Sequence, residues 1–435
     1  MRRHLCIVLW ALSMWLCGCN PRVRPNVLLL VMDTTRADRC SFNGYERPTT
    51  PRIAEFAKDA VVFRQAWSPA NWTGPAHASL FTGLAPQRHG FHRGARPYLG
   101  GSVPVIAERF TRSGYATACF TNNEVVSPDL GLTRGFGAID LRYLDPDRPY
   151  PWATATHDAA VLWATEQAGA GRPFFLFVND VEPHEAYDPP AADAAKFVRD
   201  PSDEDAIREA REFRYPHNLA FDAGAESIAP RRMALLSDLY DAEIFALDRE
   251  VGVLLDRFRS SGFLESTVVV IVGDHGEQLG EHGLIEHSLG LYAPVCHVPL
   301  VVRWPGTFDG GRVEDDVVRL EDVAPTLLDL CGLPPLDDID GRSLSRDLPG
   351  RVARAMQPAS DWCALEAERR YPGPGAMRLS RGAEAVFDGR RRLIAHSDGT
   401  FELYDPRSDP QESQDLAAVE PAEVRRLRAL LQPPR

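Results

Sequence analysis

The sequence predicts an α/β fold, in which helices cover both faces of a mostly parallel β-sheet and a small antiparallel C-terminal subdomain follows. Short, continuous apolar runs alternate with longer amphipathic segments over most of the chain. Strands buried on both faces have this continuous apolar character, and their alternation with helices is typical of parallel sheets. Near the C-terminus, Asp388-Gly389 and Asp398-Gly399 separate strand-like segments, which favours β-hairpins there.

The predicted elements follow one another along the chain. Buried strands are predicted at residues 26–32 (NVLLLVM), 174–178 (FFLFV), 268–272 (VVVIV) and 300–302. Helices are predicted at residues 51–59, 103–113, 158–168, 233–258 and 321–331. In the C-terminal subdomain, strands are predicted at residues 359–366, 377–387 and 391–404.

Three parts of the chain are distinguished by composition. Residues 1–18 are predicted to be a signal peptide, residues 19–335 the main domain, and residues 336–435 a C-terminal α+β subdomain. Within the main domain, residues 187–230 are rich in Pro, Ala, Asp and Arg and have weak periodicity. We interpret this segment as an insertion over the site, either a lid or a surface excursion without a role.

The N-terminus has the features of a bacterial lipoprotein signal. Arg2 and Arg3 precede an apolar run over residues 5–16, which is too short for a membrane-spanning helix. The run ends in Leu-Cys-Gly-Cys, so cleavage before Cys19 would leave that cysteine lipidated. We therefore expect an exported protein, periplasmic or associated with the outer membrane, that contacts the membrane only through this anchor. Ordinary secretion is the alternative.

The net charge argues against one class of ligand. A formal charge of −13 makes nucleic acid an improbable partner, because nucleic acids select for basic surfaces. It does not exclude a small anionic substrate, since a bound cation dominates the field inside a small site.

Charged side chains follow two of the predicted strands directly. Asp33 follows the first strand, and Asp274 and His275 follow the strand at residues 268–272. Sites in such sheets form beyond the carboxyl ends of the strands. Two carboxylates and an imidazole are suitable ligands for a divalent cation, so we expect a metal site at this edge.

Thr73 begins a short predicted helix in the segment NWTGPAHASLFTG, residues 71–83. Its hydroxyl could serve only as an N-cap. The same position lies in the positive field at a helix N-terminus, which also favours a bound anion. An adjacent cation would lower the pKa of the hydroxyl, so Thr73 could instead act as an alkoxide nucleophile.

These segments together resemble the sulfatase family of the alkaline-phosphatase-like superfamily. Residues 71–83 resemble its active-site segment, and residues 31–38, 181–187 (VEPHEAY) and 273–277 (GDHGE) resemble its other motifs in the family's order. Residues 402–405 and 409–412 resemble its C-terminal signature. The resemblance therefore covers nearly the whole chain after the signal peptide and implies the family's fold.

The resemblance also implies roles for individual residues. His184 matches a family histidine that contacts the ester. His287 lies close to the sequence position at which the family has a lysine or histidine against the transferred group. Asp33, Asp274 and His275 match metal ligands, with Thr34 in place of a second aspartate. The implied cofactor is one divalent cation, Ca²⁺ by family, with Mn²⁺, Mg²⁺ and Zn²⁺ as alternatives.

Several positions depart from the family pattern. Sulfatases oxidise a cysteine or serine to formylglycine, an aldehyde that Thr73 cannot form, so no formylglycine is expected. His77 replaces the arginine that supports the nucleophile. A Lys-Trp-His segment is absent where Asn122 and Asn123 occur, and either asparagine could act as a neutral donor.

We therefore predict a metal-dependent hydrolase of sulfate esters, phosphate esters or phosphodiesters, with Thr73, His77, His184 and His287 as candidate catalytic residues. A sulfated or phosphorylated small molecule, glycan or lipid is the expected substrate. Relatives with threonine at this position include phosphoryl-group transferases acting on cell-envelope substrates, which is one alternative. The other is a binding protein of the same fold that has lost catalysis.

Overall fold

The computed structural model describes residues 24–91, 97–145, 152–201, 204–346, 349–359 and 362–431. The signal peptide and Cys19 lie outside these residues, so the lipid anchor stays a prediction. In the part of the chain that the structure describes, no helix combines the length and the apolar character needed to cross a bilayer.

The strands of the described residues form three sheets. In chain order they are β1 (Asn26–Met32), β2 (Val61–Trp67), β3 (Ala116–Thr121), β4 (Ala138–Leu141), β5 (Phe174–Asp180), β6 (Thr267–Val272), β7 (Gln278–Leu279), β8 (Ile285–Glu286), β9 (His297–Val298), β10 (Leu300–Arg303), β11 (Arg312–Arg319), β12 (Ala353–Gln357), β13 (Ala383–Phe387), β14 (Arg392–His396) and β15 (Phe401–Tyr404). The main sheet has the order β11-β2-β10-β6-β1-β5-β3-β4, with β9 paired to β2. It is parallel except at β9 and β10, which confirms the predicted fold class.

Helices cover both faces of this sheet. The α-helices are α1 (Pro51–Phe56), α2 (Thr73–Thr82), α3 (Pro86–His89), α4 (Ile106–Arg112), α5 (Trp152–Gly169), α6 (Ala191–Phe197), α7 (Glu204–Arg211), α8 (His217–Asp222), α9 (Pro230–Ser260), α10 (Ala293–Cys296), α11 (Val323–Leu330), α12 (Trp362–Arg370), α13 (Pro374–Leu379) and α14 (Pro421–Leu431). Short 3₁₀ segments lie at Ala37–Arg39, Ser41–Asn43, Ala57–Asp59, Arg142–Leu144, Leu264–Ser266, Glu281–Gly283 and Leu320–Asp322.

Alternate residues of β1 face two separate cores. Leu29 and Val31 pack with side chains of α2, α4 and α11. Leu28 and Leu30 pack on the other face with side chains of α1, α5 and α9. All residues of β1 after Asn26 are fully buried, which explains why the strand is apolar throughout instead of alternating.

The register of the central strands places the predicted ligands together. Val31 of β1 pairs with Val272 of β6, and Met32 pairs with Asp180 of β5. Asp33 and Asp274 therefore emerge at the same edge of the sheet, one and two residues beyond their strands.

The C-terminal subdomain contains the antiparallel sheet β12-β13-β14-β15. The turns at Asp388-Gly389 and Asp398-Gly399 join its strands, as predicted. The prediction of a strand at residues 359–366 is wrong. α12 begins at Trp362 and buries Ala364 and Ala367, which lie one helical turn apart. Residues 377–387 form the end of α13 and then β13, so only their second half is extended.

Residues 187–230 contain α6, α7 and α8. Their apolar side chains pack with residues of α9 and with Leu279 and Ile285 of the β7–β8 hairpin. Asn218 of α8 donates to the carboxylate of Glu185, and Asp222 accepts from the backbone N–H of Ile285. The segment therefore supports the loop that carries His184, and none of its described residues lines the cavity described below.

Asp248 on α9 connects this helix to the start of α1, and we expect its replacement to lower stability. Its carboxylate oxygens accept the backbone N–H groups of Arg52 and Ile53 at the start of α1, each at 2.8 Å. We expect Asp248→Ala to leave these buried donors unsatisfied and to lower the free energy of unfolding by roughly 1–3 kcal/mol in urea titrations. The control is Asp256→Ala, which removes an exposed partner of Arg52 on the same helix. An equal loss in both variants would contradict the explanation.

Candidate active site

Thr73 is the first residue of α2, at the carboxyl edge of the main sheet. Its hydroxyl Oγ1 lies 3.3 Å from Nε2 of His275 and 3.4 Å from Nδ2 of Asn123. These contacts join three separate segments of the chain. The hydroxyl is therefore directed across the site, and capping its own helix does not explain its position.

Gly74 allows two aromatic rings to pack closely against the start of α2. A Cβ atom there would collide with the rings of Trp72 and Phe91. The absence of a side chain lets the Trp72 ring fold back over the start of α2, where it packs 5.8 Å from Phe91 between ring centroids. Trp72 thereby forms part of the wall beside the Thr73 hydroxyl.

Asp33, Asp274 and His275 form a cluster of potential metal ligands, as the sequence predicts. All three are fully buried, and one ligand atom from each lies within 4.8 Å of the others. Oδ1 of Asp33 and Oδ2 of Asp274 accept no hydrogen bond from the described residues, and Nε2 of His275 lies 3.6 Å and 3.4 Å from them. Buried carboxylate oxygens are costly unless paired, so this donor set fits a divalent cation.

Thr34 lies beside this cluster in a left-handed backbone conformation (φ 50°). Its N–H donates to Oδ1 of Asp274 at 3.2 Å, and its carbonyl accepts from the hydroxyl of Tyr240 at 2.7 Å. Its own hydroxyl is buried without a hydrogen-bond partner among the described residues. Thr34 therefore orients Asp274 through its backbone, and its hydroxyl stays a predicted ligand.

The two carboxylates differ in electrostatic environment. Burial and repulsion from Asp274 raise the pKa of Asp33. Burial acts in the same direction on Asp274, but His275, His77 and the N–H of His275 outweigh it and lower the pKa of Asp274. A cation bound between the two carboxylates would relieve the repulsion that Asp33 experiences from Asp274.

His77 lies beneath the cluster and does not line the cavity. Its Nδ1 is 3.0 Å from the carbonyl of Thr73 and 3.4 Å from Oδ2 of Asp274. The ring packs edge-on against Phe81 and Phe177. His77 thus contacts both Thr73 and Asp274 from a fully buried position, which favours a supporting role.

His184 and His287 lie together on the other side of the cavity. Their ring centroids are 4.9 Å apart, and the ring of His287 lies 4.5 Å from that of His275. Nδ1 of His184 donates to the carbonyl of Glu185 at 2.7 Å. Both rings line the cavity, so the structure brings these two predicted residues to the site.

Of the two asparagines, Asn123 is the one whose amide contacts both Thr73 and Asp33. Its Nδ2 donates to Oδ2 of Asp33 at 2.6 Å and also faces Thr73. The amide of Asn122 instead donates to the hydroxyl of Thr156 in α5, at 2.8 Å. Asn123 therefore links the nucleophile candidate to the metal cluster.

A cavity of about 410 Å³ opens onto Thr73. Besides the residues already described, it is lined by side chains that the sequence did not predict, namely Glu124, Val125, Tyr143, Trp152 and Val181. Trp72 was also missed, although it precedes Thr73 directly. Trp72 is distant in sequence from Tyr143 and Trp152, and no local pattern marks these aromatic residues as neighbours.

The mostly parallel sheet gathers a hydroxyl, two carboxylates and an imidazole at its carboxyl edge, the arrangement expected from the resemblance to the alkaline-phosphatase-like superfamily. The family model "Sulfatase" matches residues 25–333, and a model for the C-terminal region of N-sulphoglucosamine sulphohydrolase matches residues 280–432. The chain belongs to the sulfatase family.

Individual relatives are distant but align over most of their length. An arylsulfatase of Clostridium perfringens is 24% identical, covering 74% of this chain and 78% of the relative. An N-acetylglucosamine-6-O-sulfatase of Bacteroides thetaiotaomicron is 23% identical, covering 95% and 86%. The crystal structure of a phosphonate monoester hydrolase of Agrobacterium radiobacter superposes with a TM-score of 0.73 at 20% identity, covering 94% of this chain and 95% of that one. That similarity confirms the fold.

Proposed function

We propose that the protein hydrolyses sulfate or phosphate esters with the Thr73 hydroxyl as the nucleophile. The observation that carries this proposal is the position of Oγ1, which lies against His275 and Asn123, in the lining of a cavity and at the start of a helix. The positive end of α2 favours an anionic group at that point. The relatives named above are sulfatases and a phosphonate monoester hydrolase, which supports both ester classes.

Asp33, Asp274 and His275 are the residues that would hold a divalent cation, with Thr34 beside them. When bound, such a cation neutralises anionic charge and favours the deprotonated form of a nearby hydroxyl. The unpartnered oxygens of the two buried aspartates support this assignment. They also argue against a binding protein that has lost catalysis, because such a protein would gain nothing from keeping repelling carboxylates buried.

The reaction proceeds in two displacements. The reacting state has Thr73 as the alkoxide, its hydroxyl proton having passed to solvent. Its Oγ1 forms a bond to sulfur or phosphorus while the bond from that atom to the ester oxygen breaks. A protonated histidine, His184 or His287, gives a proton to the departing alcohol. Water then attacks the sulfur or phosphorus of the Thr73 ester, the neutral histidine takes its proton, and Thr73 leaves to restore the starting state.

Threonine requires this route. A formylglycine hydrate can expel sulfate by collapsing to the aldehyde, whereas the ester of Thr73 must be broken at sulfur or phosphorus. A phosphorylated threonine can pass its group to water or to another alcohol, and transfer to an alcohol is therefore the alternative activity.

The cavity wall supports a compact substrate. Trp72, Tyr143 and Trp152 offer ring faces on which a sugar or an aryl group can stack. We infer that the alcohol part of the ester is a small planar or ring-shaped group, as in a sulfated sugar or an aryl ester.

A hydrolysis panel tests the proposal. It compares an aryl sulfate, a phosphate monoester, a phosphodiester and a phosphonate monoester with protein supplied with Ca²⁺, Mn²⁺, Mg²⁺ or Zn²⁺ in turn. We expect turnover of at least one ester and release of free sulfate, phosphate or phosphonate. Appearance of the group on an added alcohol instead would support the transferase. No turnover of any ester with any of the four cations would contradict the proposal.

A further inference from the structure

Glu277 faces His287 across the short β7–β8 hairpin. Gln278 pairs with Glu286, so the residues just outside this pair, Glu277 and His287, lie opposite each other. Oε1 of Glu277 accepts from Nδ1 of His287 at 3.0 Å. Glu277 is fully buried and His287 nearly so, which makes this a carboxylate–imidazole pair shielded from water.

The pair is held from behind by the buried side chain of Arg36. Its Nη1 donates to the backbone carbonyl of Glu277 at 3.0 Å. Arg36 is itself fixed by the carboxylates of Asp38 and Glu281. A side chain at Gly276 would collide with the carbonyl of Pro294, so the backbone before Glu277 is packed as well. The carboxylate therefore has little freedom to move relative to the cavity.

The hydrogen bond to Glu277 gives the two ring nitrogens of His287 different roles. When Glu277 is ionised, Nδ1 of His287 donates to it, which assigns proton exchange with another group to Nε2. His287 lines the cavity beside His184, whose Nδ1 is bonded to a backbone carbonyl. An imidazole can rotate and change tautomer, so a fixed partner on one nitrogen is needed to keep the other directed at a reacting oxygen.

We propose that Glu277 is a positioning residue for the reaction, which holds His287 with Nε2 directed at the oxygen of the departing alcohol. The inference rests on the proposed function and extends it by assigning the proton transfer to His287 instead of His184. In the first displacement, Nε2–H gives its proton to that oxygen as its bond to sulfur or phosphorus breaks. In the second, Nε2 takes a proton from the attacking water.

The test compares two esters of the same acid in the metal-loaded protein. Alkyl alcohols need a proton to leave, whereas 4-nitrophenol leaves readily without one. Glu277→Ala should lower kcat roughly 10–100-fold on an alkyl ester and only a few-fold on the 4-nitrophenyl ester, with KM changed less than about threefold. Glu277→Gln keeps an oxygen that accepts from Nδ1 and should recover most of the lost rate.

Two further variants exclude a merely structural effect. Adding Glu277→Ala to His287→Ala should cost nothing more on the alkyl ester, because Glu277 acts through His287. Glu286→Gln changes a neighbouring carboxylate of the same hairpin and should leave the ratio of the two rates unchanged. Cation content and the unfolding midpoint are measured for each variant.

The outcomes separate this inference from the proposed function. The two esters are derived from an acid whose ester is turned over in the hydrolysis panel, and wild-type protein that turns over no ester of that panel contradicts the proposed function itself. An active wild type with equal losses on both esters in Glu277→Ala, or with additive losses in the double variant, overturns the role of Glu277 alone.

Discussion

Replacing Thr73 with alanine is expected to lower kcat on any ester that the protein hydrolyses by roughly 10³–10⁶-fold, the range found when a nucleophile is removed. The variant lacks the Oγ1 that lies against His275 and Asn123 and leaves the rest of the site in place. KM should change little, because Trp72, Tyr143 and Trp152 still form the cavity wall. Steady-state kinetics with a chromogenic ester measures both constants.

Thr73→Ser is the matched control for this variant. Serine keeps a hydroxyl at the same position and should retain a substantial part of kcat. Since Thr73 is only 4% exposed, a loss of packing is checked by the unfolding midpoint of both variants. Equal activity of wild type and Thr73→Ala would contradict the nucleophile assignment.

Replacing Asp274 with asparagine is expected to abolish tight binding of a divalent cation and to lower kcat roughly a thousandfold, equivalent to about 4 kcal/mol. Oδ1 of Asp274 accepts the N–H groups of Thr34 and His275, which leaves Oδ2 for a cation. Asparagine keeps one accepting oxygen but removes the charge on which the cluster depends. Calorimetric titration with Ca²⁺ measures the binding independently of activity.

Asp180→Asn provides the comparison for this second variant. Asp180 is also fully buried at the end of a central strand, but its Oδ2 is paired with Nε2 of His157 at 2.8 Å. This variant should lose stability and still bind the cation. Unchanged cation binding in Asp274→Asn would show that the cluster is not the metal site.

The central strands and the residues at their ends were predictable from sequence for a simple physical reason. β1, β5 and β6 are buried on both faces, so they are continuous apolar runs with clear ends. Parallel neighbours bring their carboxyl ends to one edge, which assigns Asp33 and Asp274 to a common site without any knowledge of their distance. Thr73 was assigned to the same site because residues 71–83 resemble a family motif, and hydrophobic periodicity played no part.

Other features have no local pattern. β2 contains Arg64 and Gln65 where the strand reaches solvent, so its apolar run is broken. β7 and β8 have two residues each, too few to show any period, and the pairing of Glu277 with His287 depends on their register. The cavity wall combines Tyr143 and Trp152 with Trp72, and only tertiary structure makes them neighbours. A strand was predicted at residues 359–366, whereas α12 begins within this range, at Trp362.

The central claim, that Thr73 takes up the transferred group, is tested most directly by trapping the covalent intermediate. The metal-loaded protein is mixed with its best 4-nitrophenyl ester, quenched in acid within the first turnover, digested and analysed by mass spectrometry. We expect the peptide containing Thr73 to gain the mass of one sulfuryl or phosphoryl group, with fragmentation assigning it to Thr73. Quenched protein that releases 4-nitrophenol and carries no such group, together with undiminished release by Thr73→Ala, would contradict the account.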